Sequence, residues 1–371
     1  MDDALIEKVA ISLTPGASAA IVRAMEENCV GLDDFFSLGM RQLTERLGAT
    51  RKLRIEDSAR QEALIKARKE VDFMHRHNIR GFFLGDDDYP PLLAELHDAP
   101  VMLYVLGDAD LDPEHSLALV GTRRCTQYGS SFVNGFLADM AIYFPELMVV
   151  SGLAFGIDAT AHIYSIENHL PTVAVLAHGL DMIYPAQNRD LGKRILNSGG
   201  ALVSEYPSGT TPYRNNFLLR NRIVAGLAEL TIVVESEIKG GAMNTANQAF
   251  INNREVMALP GRATDPMSSG CNHLIRKQKA QLLTSAADII EMLGWKPLDM
   301  KELPKERNLF PELEGIASQI YSIMREESAP ITADQLKLRL GIKIKELIST
   351  LSEMEFDGII NKLPGARYEL A

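Results

Sequence analysis

The chain has 371 residues, 46% of them hydrophobic, and a net charge of −11; that length allows two or three domains with at least one sizeable core. No apolar run approaches the roughly 20 residues of a membrane helix, and the three scattered cysteines, Cys29, Cys125 and Cys271, form neither a disulfide framework nor a metal spacing. The acidic start (Asp2, Asp3, Glu7) lacks the basic region of a signal peptide, so a reduced cytoplasmic protein is expected.

The first part, residues 1–80, reads as a helical module. Apolar residues recur at helical spacing through Ile6–Leu13, Ala19–Met25 and Leu43–Leu47. Two short loops, Thr14–Ala17 and Ser37–Gly39, each lead into a helix, as in degenerate helix-hairpin-helix units whose amides hold a phosphate. Charge opposes that role: residues 1–116 carry 13 Lys and Arg against 22 Asp and Glu, a net of −9. Packing is therefore the expected job of this module. From Phe82 to Gly107 the pattern is extended and punctuated by Tyr89-Pro90-Pro91 and Ala99-Pro100. With a strand at Val101–Leu106, it reads as a connector lying against the next domain.

Residues 81–295 alternate short apolar strands with helices. Strands are expected at Leu117–Val120, Met148–Ser151, Thr172–Leu176, Ala201–Ser204, Leu230–Glu235 and Glu255–Leu259. Helices are expected near Tyr128–Ile142, Ile157–Asn168, Asn188–Asn197, Phe217–Ala225 and Ala242–Asn252. Val/Ile/Leu-rich strands without alternation are buried on both faces, as in a parallel sheet. The order implies an α/β, Rossmann-like, doubly wound fold. Residues 117–294 are balanced, with 14 basic and 14 acidic residues. The basic ones cluster, at Arg123/Arg124, Lys193/Arg194, Arg214/Arg220/Arg222 and Arg276/Lys277/Lys279.

A proline-rich polar linker, 296–312, leads to residues 313–371. Amphipathic helices are expected there at Ile316–Met324, Ala333–Leu340 and Ile344–Phe356. A hairpin follows, opened at Asp357-Gly358 and turned at Pro364-Gly365. That is a winged-helix pattern. Its third helix, with Lys343, Lys345, Glu346, Glu353 and Glu355, lacks the basic character of a groove reader. Protein contact or simple packing fits it better.

Ligands of open α/β sheets sit beyond the carboxyl ends of the strands. After the first strand, Gly121, Thr122, Arg123 and Arg124 precede a helix whose free amides and dipole favour an anion. Arg123 adds a fork for two phosphate oxygens. Neither a dinucleotide fingerprint nor a Walker lysine is present. After the second strand, Ser151, Gly152 and Gly156 allow a second close backbone approach, and Asp158 either orders the loop or merely starts a helix. His178 is read as a packed residue, and Tyr184-Pro185 as a turn. Arg214, Phe217, Arg220, Asn221 and Arg222 form a basic, aromatic-bearing segment suited to a single strand, arginines to phosphates and the ring to a base. Gly240, Gly241 and Thr245 open another helix as an amide cradle, and Asn272 follows the sixth strand. Loops at one sheet edge in this number make a groove, which favours a polymer.

In this order the loops closely resemble the bacterial DNA-processing protein A family (DprA, also called Smf), over about residues 83–293. The resemblance rests on Leu119–Gly129 (LVGTRRCTQYG), Ser151–Asp158 (SGLAFGID), the Tyr184–Asn188 series, Ser204–Thr210 (SEYPSGT), Arg220–Leu227 (RNRIVAGL), Gly240–Thr245, Ala258–Arg262 (ALPGR) and Gly270–Ile275 (GCNHLI). It implies an extended Rossmann domain that binds single-stranded DNA without catalysis. It also implies a homodimer that loads RecA recombinase onto incoming DNA during natural transformation and helps it past single-strand-binding protein. No cofactor is implied. Arg123 falls on the family's phosphate-loop arginine, Phe217 on the aromatic before the Arg-Asn-Arg motif, and Arg214 on the basic site three residues earlier. Residues 1–80 resemble its sterile-alpha-motif-like (SAM-like) module and the C-terminus its winged helix. Leu218 stands where proline is usual, and Gln278-Lys279 where glycine commonly precedes alanine. A nucleotide-processing enzyme of the phosphoribohydrolase type is the alternative. It needs a Pro-Gly-Gly-x-Gly-Thr loop with a glutamate just beyond; Gly240–Thr245 lacks the third glycine, and no acid follows before Glu255.

Overall fold

The computed structural model describes residues 3–48, 55–297, 315–326, 330–356, 359–363 and 367–370. The chain divides into two compact units between Leu298 and Asp299.

The first unit opens with helices α1 (Asp3–Leu13), α2 (Ala19–Glu27), α3 (Leu32–Ser37), α4 (Met40–Arg46) and the long α5 (Asp57–His77). Strand β1 (Ile79–Phe83), the short α6 (Pro91–Ala94) and strand β2 (Met102–Gly107) follow. Alternation then begins: β3 (Ser116–Val120), α7 (Gln127–Tyr143), β4 (Met148–Ser151), α8 (Ile157–Glu167), β5 (Thr172–Val175), α9 (Arg189–Asn197) and β6 (Ala201–Ser204). It continues with α10 (Arg214–Gly226), β7 (Leu230–Val233), α11 (Gly241–Ile251), β8 (Glu255–Ala258), α12 (Ser269–Arg276), β9 (Gln281–Leu282) and α13 (Ala286–Leu293). All six strands and five helices expected here form, with bounds shifted by three residues or fewer.

The strands make one sheet in the order β1-β2-β6-β5-β4-β3-β7-β8-β9. From β6 to β9 neighbours are parallel. Every residue of β3, β4, β5, β6 and β7 is buried, which is why these strands read as unbroken apolar runs. The chain leaves β3 for β4, β5 and β6 on one side and resumes at β7 on the other. The carboxyl ends of β3 and β7 therefore flank a topological switch point.

The connector expected over 82–107 is a correction. β2 pairs antiparallel with β1 and with β6, so both extend the main sheet. The boundary expected between residues 80 and 81 falls inside β1. Ile79, Phe82 and Phe83 share a core with Val9 and Ile11 of α1 and Val71 and Met74 of α5, so the helical module and the sheet bury their apolar faces together. Strand β9 went unforeseen because two residues carry no periodicity. Beyond α13, Trp295 is buried and stacks on His115 at 4.1 Å.

The second unit holds α14 (Gly315–Glu326), β10 (Ile331–Thr332), α15 (Ala333–Leu340), α16 (Ile344–Phe356), β11 (Ile360–Leu363) and β12 (Arg367–Leu370). Its sheet runs β10-β12-β11, antiparallel throughout. Thr332 and Gln335 cap α15 reciprocally, and Gly341 ends it at φ 65°. Ile320, Leu336, Leu347, Leu351 and Tyr368 fill the core. This is the expected winged helix. The linker at 296–312 lies almost entirely outside the described residues, as do the turns at Asp357-Gly358 and Pro364-Gly365. Among the described residues, no helix is long and apolar enough to cross a membrane, and no cluster of His, Cys, Asp and Glu is placed to hold a metal.

Candidate nucleic-acid interface

At the carboxyl edge of the sheet a cavity of about 950 Å³ opens between the loops after β3, β4, β5 and β7 and one face of α10. Eleven of the expected residues line it: Gly121, Thr122, Arg123, Gly152, Arg214, Phe217, Arg220, Asn221, Gly240, Gly241 and Thr245. The loops converge because all four leave parallel strands at the same end.

The loop after β3 is built differently from a free amide cradle. The Thr122 N–H donates to the Glu235 backbone carbonyl at 2.7 Å, and the Arg124 N–H to Thr122 Oγ1 at 3.1 Å. Glu235, 1% exposed, accepts the Thr126 N–H at 2.9 Å and the Thr126 hydroxyl. A protein carboxylate thus occupies the anion position beside the start of α7. The Arg123 and Arg124 side chains of this loop are exposed. Gly156, at φ 75°, packs directly on this loop; a Cβ there would lie 2.2 Å from the Thr122 carbonyl oxygen. A Cβ on Gly152 would strike the Arg220 guanidinium.

Helix α10 presents its cavity face by simple periodicity. Arg214, Phe217, Leu218 and Asn221 stand at i, i+3, i+4 and i+7. The Arg123 guanidinium lies 5.8 Å from the Phe217 ring centroid, and the Tyr184 and Phe217 ring centroids are 5.8 Å apart. Tyr184 is the residue sequence reasoning undervalued. Read as a turn former, it is instead half-exposed in the cavity wall. His178 holds it there. Its Nδ1 lies 2.9 Å from the Gly179 carbonyl, and its Nε2 accepts the Tyr184 N–H at 3.2 Å. A carbonyl only accepts, so the proton sits on Nδ1. Burial pushes the His178 pKa down and favours that neutral form. The signal was the spacing of a buried polar residue six positions before an aromatic.

Across the cavity, Lys239 is exposed, and the first-turn N–H groups of α11 at Gly241 and Ala242 have no intrahelical acceptor. Thr245, on the same helix, is buried. Asn221 donates to Asn244 of α11 at 3.3 Å, joining the two helices that form the walls.

Arg220, and the four expected residues that do not line the cavity, are engaged within the protein itself. Arg220 lines the floor but is only 4% exposed and donates Nη1 to the Val175 carbonyl. Below it Asp158 is buried; burial raises its pKa and the Arg220 charge opposes that rise. Asp158 accepts the Ala154 N–H at 3.4 Å, so it orders the loop as well as starting α8. Arg222 points to the opposite side of α10 and pairs with Glu205 at 2.6 Å and Asp98 at 3.3 Å. The Ser151 hydroxyl donates to the Leu119 carbonyl at 2.6 Å, tying β4 to β3. Asn272 makes two hydrogen bonds to the Gly261 backbone. Gly156, Ser151, Arg222 and Asn272 support the walls from outside the cavity lining. Of the two departures, Leu218 is exposed on the cavity face. Gln278 takes φ 54°, the left-handed conformation that a glycine adopts without strain.

The fold and the cavity define a class: an open, extended Rossmann-like sheet with a cationic, ring-bearing groove at its switch point, on a chain that also carries a winged helix. The model of the DNA recombination-mediator protein A family matches residues 80–294, and that of the DprA winged helix domain matches 304–366. The chain belongs to this DprA/Smf family of DNA-processing proteins. It is 40% identical over 209 residues to the DNA processing protein DprA of Streptococcus pneumoniae, covering 56% of this chain and 72% of that one. It is 34% identical over 333 residues to the Smf protein of a Synechocystis species, covering 80% and 82%. The X-ray structure of the S. pneumoniae protein superposes with a TM-score of 0.63 at 31% identity, over 76% of this chain and 95% of that one. DprA of Helicobacter pylori, solved for its single-stranded DNA binding mode, gives 0.52 at 29% identity, over 58% and 95%.

Proposed function

We propose that this protein binds single-stranded DNA in the switch-point groove without catalysis, and that it protects incoming DNA and loads RecA recombinase onto it during natural transformation. One observation carries the binding part. Exposed Arg123, Arg214 and Lys239 share one cavity lining with Phe217 and Tyr184, so a single cavity offers cations to phosphates and ring faces to bases. The loop after β3 carries neither a dinucleotide fingerprint nor a Walker lysine. The acids of the lining are Asp158, engaged with the loop backbone, and Glu237, which precedes the glycine pair; neither stands where the phosphoribohydrolase alternative needs its glutamate. Action as a homodimer, and passage of single-strand-binding protein, come to this chain from the family resemblance.

The test is a titration of single-stranded against duplex oligonucleotide across salt, wild type beside Arg123→Ala. Preference for the single strand is expected, with a salt slope that falls by about 0.7 in the variant for one lost phosphate contact. Equal affinity for duplex, or an unchanged slope, would sink the groove reading. The loading step is checked separately, by the rate of RecA filament formation on strands coated with single-strand-binding protein; no acceleration counts against it.

A further inference from the structure

The acidic helical module holds the loop that leads into α10 through a buried carboxylate. Glu70 on α5 is 7% exposed. Its Oε1 accepts the Ser208 N–H at 2.9 Å and its Oε2 accepts the Ser208 hydroxyl at 2.5 Å. Burying a carboxylate is costly unless its hydrogen bonds are met. Among the described residues, no Lys or Arg forms an ion pair with Glu70, so the loop's own donors satisfy it.

Ser208 sits in the segment between β6 and α10, whose next turns carry Arg214 and Phe217. The segment is also tied from its other side. The Gly179 N–H donates to the Thr210 carbonyl at 3.0 Å, and the Gly209 N–H to Asp181 at 2.9 Å. That second strap runs on to Tyr184. The loop thus hangs between the helical module and the segment after β5, and both aromatic residues of the groove lie just beyond its anchors.

We infer that Glu70 is a positioning residue for DNA: by clamping Ser208 it sets the path on which α10 presents Arg214 and Phe217 to the strand. Charge-assisted bonds to both donors of one serine restrict the loop more than a single neutral bond would. Through this contact the helical module, whose charge disfavours DNA, contributes to binding without touching it. The inference rests on the single-strand reading above.

The experiment uses the full chain and a fluorescent single-stranded oligonucleotide. Glu70→Ala, which removes both bonds, is expected to weaken binding by about tenfold; Ser208→Ala, which keeps the backbone N–H bond to Glu70, should lose less, and the double variant no more than Glu70→Ala, because the two act through one contact. Glu70→Gln keeps an acceptor for the Ser208 amide and recovers most of the affinity. Leu43→Ala, which thins the core of the module at a residue of 0% exposure, is the control. It melts earlier but binds like wild type below its transition. Wild-type affinity in both Glu70→Ala and Ser208→Ala, or a Leu43→Ala loss as large as that of Glu70→Ala, overturns the clamp. If Arg123→Ala loses affinity while Glu70→Ala does not, the clamp alone fails. If the wild-type protein does not bind the strand, the groove reading fails and the clamp with it.

Discussion

Arg214 and Arg220 stand six residues apart on one helix, yet they belong to different regions of the groove. Arg214 is on the rim, exposed, on the stripe that also carries Phe217 and Asn221. Arg220 is in the floor, nearly inaccessible, held by the Val175 carbonyl above a buried Asp158. Arg222 turns away altogether into a pair with Glu205. The same side chain is open to solvent at one position and a buried structural strut at the other. On the proposed reading the rim meets phosphates and bases, and the floor holds the rim still.

The largest expected effect separates the two on stability. Arg220→Met leaves Asp158 without its balancing charge and Val175 without its donor, and should cost about 3 kcal/mol. Arg214→Ala should stay within about 0.5 kcal/mol. Urea unfolding of both variants reads this directly, and comparable losses would erase the distinction.

Next comes pH, which acts through a buried histidine that feels the Arg220 charge. His162 on α8 is fully buried, 2.7 Å from Thr172 Oγ1, and burial with the nearby Arg220 charge pushes its pKa down to about 3. The unfolded chain takes up that proton first, near the ordinary value of about 6.5. The stability contribution is therefore complete above about 6.5 and is lost as pH falls toward 3. Between pH 6.5 and 5 the loss should approach 2 kcal/mol, about 1.4 per unit. Unfolding free energies at pH 7 and 5 check it, and His162→Gln should flatten the dependence.

On the rim, Phe217→Ala should weaken single-strand binding by about 1–3 kcal/mol, the range for one stacked base, with little change in salt slope. Arg214→Ala should lower the slope by about 0.7 with a smaller loss of affinity. A Phe217 variant that altered the slope as Arg214→Ala does would mean the ring only props up the cations. The smallest effect is expected in the winged helix. Its third helix, α16, mixes Lys345 with Glu346, Glu353 and Glu355. Lys343→Ala with Lys345→Ala should change single-strand affinity by less than about twofold. A loss equal to that of Arg214→Ala would place part of the strand outside the groove.

Much of this was legible in the chain itself. Val/Ile/Leu runs too short for helices, some next to glycines such as Gly121, Gly152 and Gly200, specify parallel strands, because burial on both faces removes any need for alternation. The loop motifs after β3, β4 and β7 specify where backbone must come close, and the helical spacing of Arg214, Phe217 and Asn221 already implies a shared face. What stayed hidden depends on partners distant in sequence. The commitment of the Thr126 amide to Glu235 spans 109 residues, and the clamp of Ser208 by Glu70 spans 138. Nothing local distinguishes Arg220 from Arg214; only the placement of Val175 and Asp158 beneath α10 decides which guanidinium meets solvent. Periodicity reports which side of an element faces inward, whereas the neighbours found there, and the charge they leave free, exist only once the sheet has brought its strand ends together.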